Sequence, residues 1–231
     1  MSSSTAINLP PLSTLVGKTP EQIFQDVFAF ENGYGPGFKV VAGKFSDTPG
    51  DAGGATMLGM TQATWSEYLG RPATVAEIKA LTPETVMPGY LDLFFHRPRF
   101  DLLPADGLIR EEIIDTGVGS GTERATILLQ GVLNPFVPKS PLLVDGDCGP
   151  KTVGVLQQVR LAMGDGHVTL AYIAARNAYY GGIAQYNPSQ VKFLQGWHNR
   201  ANKLQPYAER EVQETDPVKP GSSQLGLPGV L

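Results

Sequence analysis

A chain of 231 residues, 42% of them apolar, has room for one substantial domain or two small ones. Its net charge of −4 gives no basic footprint for nucleic acid, and its single cysteine, Cys148, excludes an intrachain disulfide and a cysteine-cluster zinc site. No apolar run approaches the roughly 18 residues that a membrane-spanning helix needs. Met1 to Ala6 has neither a basic start nor a long apolar run, so synthesis in the cytoplasm without a Sec signal peptide is expected.

Residues 1–18 carry Pro10, Pro11 and several Ser and Thr without periodicity and read as an extended arm. Thr19-Pro20-Glu21-Gln22 is a helix start: Thr19 can cap, Pro20 suits the first helical position, and Gln22 stands where a capping box wants it. Ile23, Phe24, Val27, Phe28 and Phe30 keep helical spacing until Gly33, Gly35, Pro36 and Gly37 stop the run. The β-branched and aromatic stretch Phe38 to Phe45 reads as a short hairpin or flap, and Asp47 to Gly54 as a loop. Thr61, Thr74 and Thr82 are expected to cap helices, the last running past Tyr90 to Phe95 before Arg97-Pro98.

A further apolar-periodic run occupies Gly107 to Gly117, with Gly117, Gly119 and Gly121 as its break and Thr122 as the cap of a helix to Leu133. Asp145 to Pro150 is a tight turn before a helix over Lys151 to Met163. Helices over Val168 to Tyr180 and Pro188 to Glu214 follow, the last with a break near Pro206. Asp216 to Leu231, with Pro217, Pro220, Gly221 and Pro228, reads as a flexible tail. The sum is a mainly α protein with one small β element near its start.

Chemistry concentrates between Glu31 and Thr61. Glu31 ends an apolar helical run, where the C-terminal dipole and the neighbours Phe28, Phe30 and Tyr34 all favour a protonated carboxyl. Asp51 stands in a glycine-rich loop whose backbone N–H groups favour an ionised one, and Thr56 offers a hydroxyl that can hold a water. Two carboxylates with pKa values pushed apart are what glycoside hydrolysis uses. Asp47 is the rival second carboxylate. Elsewhere, Asp145-Gly146-Asp147 lacks the twelfth-position Glu of a calcium loop, where Leu156 stands. His96, His167 and His198 are too scattered to bind a metal, so neither metal nor organic cofactor is expected. Lys192, Arg200 and Lys203 form a modest basic cluster, by default a solvated face. Trp65, Tyr68, Tyr179, Tyr180 and Trp197 are aromatics that either pack the core or line a sugar cleft.

Glu31-Asn32-Gly33-Tyr34, Asp51-Ala52-Gly53-Gly54-Ala55-Thr56 and Gly59-Met60-Thr61 together resemble the signature of glycoside hydrolase family 108, lysozyme-like N-acetylmuramidases of bacteria and phages. Asp145 to Thr152, Arg176 to Tyr180, and Phe193, Gly196, Trp197 and Arg200 resemble the peptidoglycan-binding region that follows in that family. The resemblance implies a two-lobed lysozyme-like fold with a small β-hairpin near the active site. It assigns the catalytic acid to Glu31, matches Asp51 and Thr56 to the family's Asp and Thr, and makes Tyr34, Gly54, Tyr179, Tyr180 and Trp197 substrate-binding. It divides the chain into an arm (1–18), a muramidase region (19–115), a peptidoglycan-binding-like helical region in the same globule (116–205) and a helix end with a tail (206–231). Expected partners are peptidoglycan glycan strands, with an immunity protein or secretion or holin machinery as candidates, and the expected state is a monomer acting at the cell wall. The departures are Asn32 for a glycine, a longer loop between Glu31 and Asp51, and Gly119 where the family carries Asn.

Overall fold

The computed structural model describes residues 17–31, 45–47 and 53–215. Helix α1 (Pro20–Glu31) begins as its first residues require. The Thr19 amide donates to Gln22 Oε1 at 2.8 Å and the Gln22 amide to Thr19 Oγ1 at 3.3 Å, a reciprocal capping box. Ile23, Phe24, Val27 and Phe28 form its buried face.

The stretch Phe38 to Phe45, expected as a hairpin or flap, lies outside the described residues but for Phe45, and a small β element follows it among the described residues. It is an antiparallel hairpin of β1 (Thr56–Met57) and β2 (Met60–Thr61), with Thr56 opposite Thr61 and Met57 opposite Met60. Leu58 and Gly59 make the two-residue turn with φ of +54° and +75°, the sign pair of a type I′ hairpin. Strands of two residues are too short to show alternation, which is why the sequence pattern passes over them. Ser46 extends the element by a backbone bridge to Thr56, with N–H to O distances of 2.9 and 2.7 Å.

Three capped helices follow. Thr61 accepts from the Thr64 amide at the start of α2 (Gln62–Leu69), Thr74 and Glu77 form a capping box on α3 (Val75–Lys79), and Thr82 caps α4 (Pro83–Leu91). The chain then winds wider through a π-helical turn, Asp92–His96, where the Arg97 amide reaches back five residues to the Asp92 carbonyl. Gly89 lets α4 lie flat on Trp65, because a Cβ there would come within 2.6 Å of the indole. Trp65 is thereby core, stacked on Tyr68 at 4.8 Å.

Helix α5 (Leu108–Ser120) runs through Gly117 and Gly119, so the expected break there is displaced to Gly121, at φ +92°. Gly117 serves close packing instead: a Cβ would meet Phe100 at 3.1 Å and Thr122 at 3.3 Å. Thr122 is the first residue of α6 (Thr122–Leu133), and the N-cap falls on Gly121. The Gln130 side chain of α6 holds the turn before α7 (Pro150–Met163), accepting from the Asp145 and Gly146 amides and donating to Asp145 Oδ1 at 2.8 Å. Helix α8 (Asp165–Tyr186) is longer than its apolar core implies. The expected final helix is two, α9 (Val191–Ala201) and α10 (Gln205–Thr215), divided by a 3₁₀ turn at Asn202–Leu204 with Pro206 in the first turn of α10.

Helix α5 lies between α1 on one side and α6 and α8 on the other. Its charges are the strongest feature of the interior. Arg176 of α8, with no exposed side-chain surface, donates to Glu112 at 3.0 Å and to Asp115 at 2.7 Å. Arg200 of α9 donates to both oxygens of Asp115, at 3.1 and 3.0 Å. Glu111 takes Lys203 at 3.1 Å and Lys18 at 2.7 Å, and Lys18 also holds Asp26 of α1. Arg200 and Lys203 are therefore turned inward to α5, which corrects their reading as a solvated basic face. Two backbone amides at the start of α5, those of Leu108 and Ile109, donate to Asp165 Oδ2 from the first turn of α8. Gly107 is needed there, since a Cβ would overlap the Asp165 carboxylate.

Burial, helped by the nearby Asp115 and Glu111 charges and opposed by Arg176, pushes the Glu112 carboxyl up to about 8. Asp115 moves the other way, well below the carboxylate range, because the attraction of Arg200 and Arg176 outweighs its burial. Since Glu112 rises above its ordinary 4.5, the native state holds its proton more tightly than the unfolded chain does. Stability is then lost as pH rises from 4.5 towards 8. In urea denaturation followed across that window, Glu112→Gln is expected to remove this component of the slope, at most about 1.4 kcal/mol per pH unit; parallel curves for the two proteins would contradict the assignment.

Candidate active site

The residues singled out by sequence fall into two groups. Glu31 is the last residue of α1. Its side chain lies outside the described residues, as do Tyr34 and Asp51. Thr56 opens β1, half-buried, with its backbone N–H and C=O both bonded to Ser46. Asp47 is exposed and follows directly on the Ser46 bridge, so it adjoins the same hairpin.

Gly54 precedes the hairpin with φ +69°, and a Cβ there would stand 2.7 Å from Gln62 Oε1. The segment is fastened to the start of α2 by the bonds from the Gln62 amide to the Ala55 carbonyl (2.7 Å) and from the Ala63 amide to the Gly53 carbonyl (3.1 Å). Gln62 is itself fixed by its Nε2 donating to the Ala73 carbonyl at 2.6 Å. Gly54 is thus a physical requirement of a chain pressed against a helix start, two residues before Thr56 at the hairpin edge.

The hairpin is joined to α1 through Tyr90 of α4. The Tyr90 ring meets Phe28 edge-on with centroids 4.8 Å apart, and its hydroxyl donates to the Leu58 carbonyl at 2.9 Å. Sequence reasoning treated Tyr90 as an ordinary helical position; its only signal was an aromatic among apolar neighbours.

Tyr179, Tyr180 and Trp197 form the second group, on α8 and α9. Tyr180 is buried, stacked on Trp197 at 5.3 Å, with its hydroxyl accepting from Arg176 Nε at 3.1 Å and sharing a 3.3 Å bond with Ser120. Its ring packs helix on helix and its polar end completes the charge cluster on α5. Tyr179 is half-buried beneath the Arg124 guanidinium, 5.0 Å away. With Gly182, Ile183, Tyr186, Asn187 and Gln190 it lines an open apolar groove of about 600 Å³. Trp197 is half-buried and also faces Phe193 at 6.0 Å. Cys148 is buried, and its thiol is pushed up to about 12, chiefly by that burial, so it offers no nucleophile. Among the described residues no group of His, Cys, Asp or Glu side chains is arranged to hold a metal ion.

A mainly helical body with one small hairpin set against the end of its first helix is the lysozyme-like class of fold. Residues 40–121 match the family model Glycosyl hydrolase 108, and residues 124–202 match the model Predicted Peptidoglycan domain. Among solved structures it is similar to SagA of Brucella abortus, at 27% identity and a TM-score of 0.61, over 81% of this chain and 91% of that one. No curated protein sequence matches significantly. Together these make the protein a glycoside hydrolase that acts on peptidoglycan. Asp51, Gly54 and Thr56 lie inside the first matched stretch, and Glu31 precedes it.

Gly54→Ala is expected to destabilise the protein by about 1–2 kcal/mol, from the left-handed backbone alone. It should also displace the Gln62 amide, so that activity on cell-wall substrate falls with stability. Urea midpoints unchanged from the parent would show that the backbone at Gly54 relaxes freely.

Proposed function

We propose that the protein is an N-acetylmuramidase, hydrolysing the β-1,4 bond between N-acetylmuramic acid and N-acetylglucosamine. What supports this reading is the Glu31, Asp51 and Thr56 motif in the sequence together with the two family-model matches; Glu31 closes α1, and Thr56 opens the hairpin that Tyr90 ties to that helix. In this reading Glu31 protonates the leaving glycosidic oxygen. Asp51, ionised in its glycine-rich loop, activates the attacking water, and the Thr56 hydroxyl helps to hold that water. Gly54 lets the backbone come close to the sugar, and Tyr34 borders the cleft. Tyr179 and Trp197 extend contact along the glycan strand, with Tyr180 fixing their helices from behind.

The reading extends to cell-wall lysis by a monomer made in the cytoplasm and working in the wall, as a phage endolysin or a secreted antibacterial effector. Holin or secretion machinery would deliver it, and an immunity protein would restrain it. The two family-model matches support the substrate class, and the place of Thr56 at the hairpin edge supports a polar role for its hydroxyl.

Glu31→Gln is expected to abolish turnover, by at least about 10²-fold, the lower range for losing a general acid, while sacculus binding and fold are retained. Clearing of peptidoglycan in a zymogram, with mass spectrometry of the released muropeptides, reads the outcome. Reducing muramic acid ends are the expected product. Anhydro ends would replace hydrolysis by transglycosylation, and binding of sacculi without any clearing by the parent protein would make it a scaffold.

A further inference from the structure

Tyr90 has no exposed surface, yet its hydroxyl is spent on a particular carbonyl, that of Leu58. Leu58 is the first turn residue of the hairpin and holds φ +54°, a conformation that a leucine adopts only under constraint. The constraint has two parts: the leucine side chain is 1% exposed, and its carbonyl is held by Tyr90. On its other side the Tyr90 ring packs on α1, against Phe24 at 5.3 Å and Phe28 at 4.8 Å. Positions 24, 28 and 31 recur at helical spacing, so the face of α1 that meets Tyr90 is the face on which the helix ends at Glu31. One buried side chain therefore touches both the helix that closes with Glu31 and the hairpin that opens with Thr56.

We infer that Tyr90 is a positioning residue for glycan hydrolysis, its hydroxyl locking the Leu58 turn and so setting the hairpin at a fixed distance from the end of α1. The inference rests on the site proposed above. Filling the core would need only the ring, and a phenylalanine supplies that. The hydroxyl adds a directional link to a strained turn two residues beyond Thr56, where a displacement of a fraction of an ångström would misplace a water-holding group relative to the acid.

The protein contains its own control. Tyr172 is an equally buried tyrosine whose hydroxyl donates to a backbone carbonyl, Ala125, at 3.0 Å, but it links α8 to α6 instead of holding the hairpin. Tyr90→Phe and Tyr172→Phe each delete one buried hydroxyl and should lower the melting temperature by a similar few degrees. On purified glycan strands Tyr90→Phe alone should lower kcat, about tenfold, with KM within about twofold of the parent. Equal kcat in the two variants, whether both fall or neither does, overturns the positioning role. Glu31→Gln measured beside them separates the two levels: retained turnover there overturns the site and the inference with it. Lost turnover in Glu31→Gln with parental kcat in Tyr90→Phe overturns the inference alone.

Discussion

The buried charges along α5 are the constraint on which the rest of the structure depends. Glu111, Glu112 and Asp115 stand on one helix, and their partners come from three separate parts of the chain: Lys18 ahead of α1, Arg176 in α8, and Arg200 with Lys203 in and after α9. Removing ions from water is costly, and the attraction between them repays it only when geometry and further hydrogen bonds are good. Here Glu111 and Asp115 each have a cation within about 3 Å, and each nitrogen of the Arg176 guanidinium is bonded, to Glu112, whose carboxyl keeps its proton towards pH 8, to Asp115 and to the Tyr180 hydroxyl. Such a network adds little stability over a well-packed apolar one. Its effect is selective: any packing of α8 or α9 that misplaces an arginine leaves a buried carboxylate unpaired, a loss of about 3–5 kcal/mol.

On the other side of α5 the physics changes from charge to shape. The α1 helix, the hairpin and α4 meet through aromatic rings and small residues, with Gly54 and Gly89 at close approaches to α2, Gly59 in the hairpin turn and Tyr90 at the centre. A strained leucine turn persists because its surroundings fix it from two directions. The hairpin has only two residues per strand, too few to be stable alone. Its geometry is therefore borrowed from α2, α4 and Ser46, which tether the hairpin edge that carries Thr56.

Much of this was legible in advance, and the reasons are local. Caps announce themselves, because Thr19, Thr61, Thr74 and Thr82 precede apolar runs with the right partner residues. The mainly α character follows from periodicity. A small β element near the start was expected, but strands at Thr56–Met57 and Met60–Thr61 are too short to be read from alternation, and the α5 boundary was misplaced because Gly117 and Gly119 look like breakers when read alone. Packing overrides them: Gly117 is where Phe100 and Thr122 come closest. The α5 network was the larger omission. Glu111, Glu112 and Asp115 fall between apolar residues in an amphipathic-looking run, so their burial is visible only once Arg176 and Arg200, more than 60 residues later, fold back on them. For the candidate site, the residue types and glycine context of Glu31, Gly54 and Thr56 could be read directly. The Tyr90 link could not, since its partner is a backbone carbonyl with no sequence signature.

The carboxylate of Asp165 has a consequence for how this family could be rearranged. It belongs to α8, in the second matched stretch, yet it supplies the N-terminal cap of α5, in the first. The cap, the arginine clamp and Lys203 all cross the same boundary. The two stretches are thus not beads that shuffle independently. A graft that exchanged the helices after α6 for those of a relative would have to carry over Asp165, Arg176, Arg200 and Lys203 in register, or leave α5 with orphaned amides and unpaired acids. Recombination at the boundary should survive only between chains that share this interlock, so the two matched stretches would be inherited as one unit.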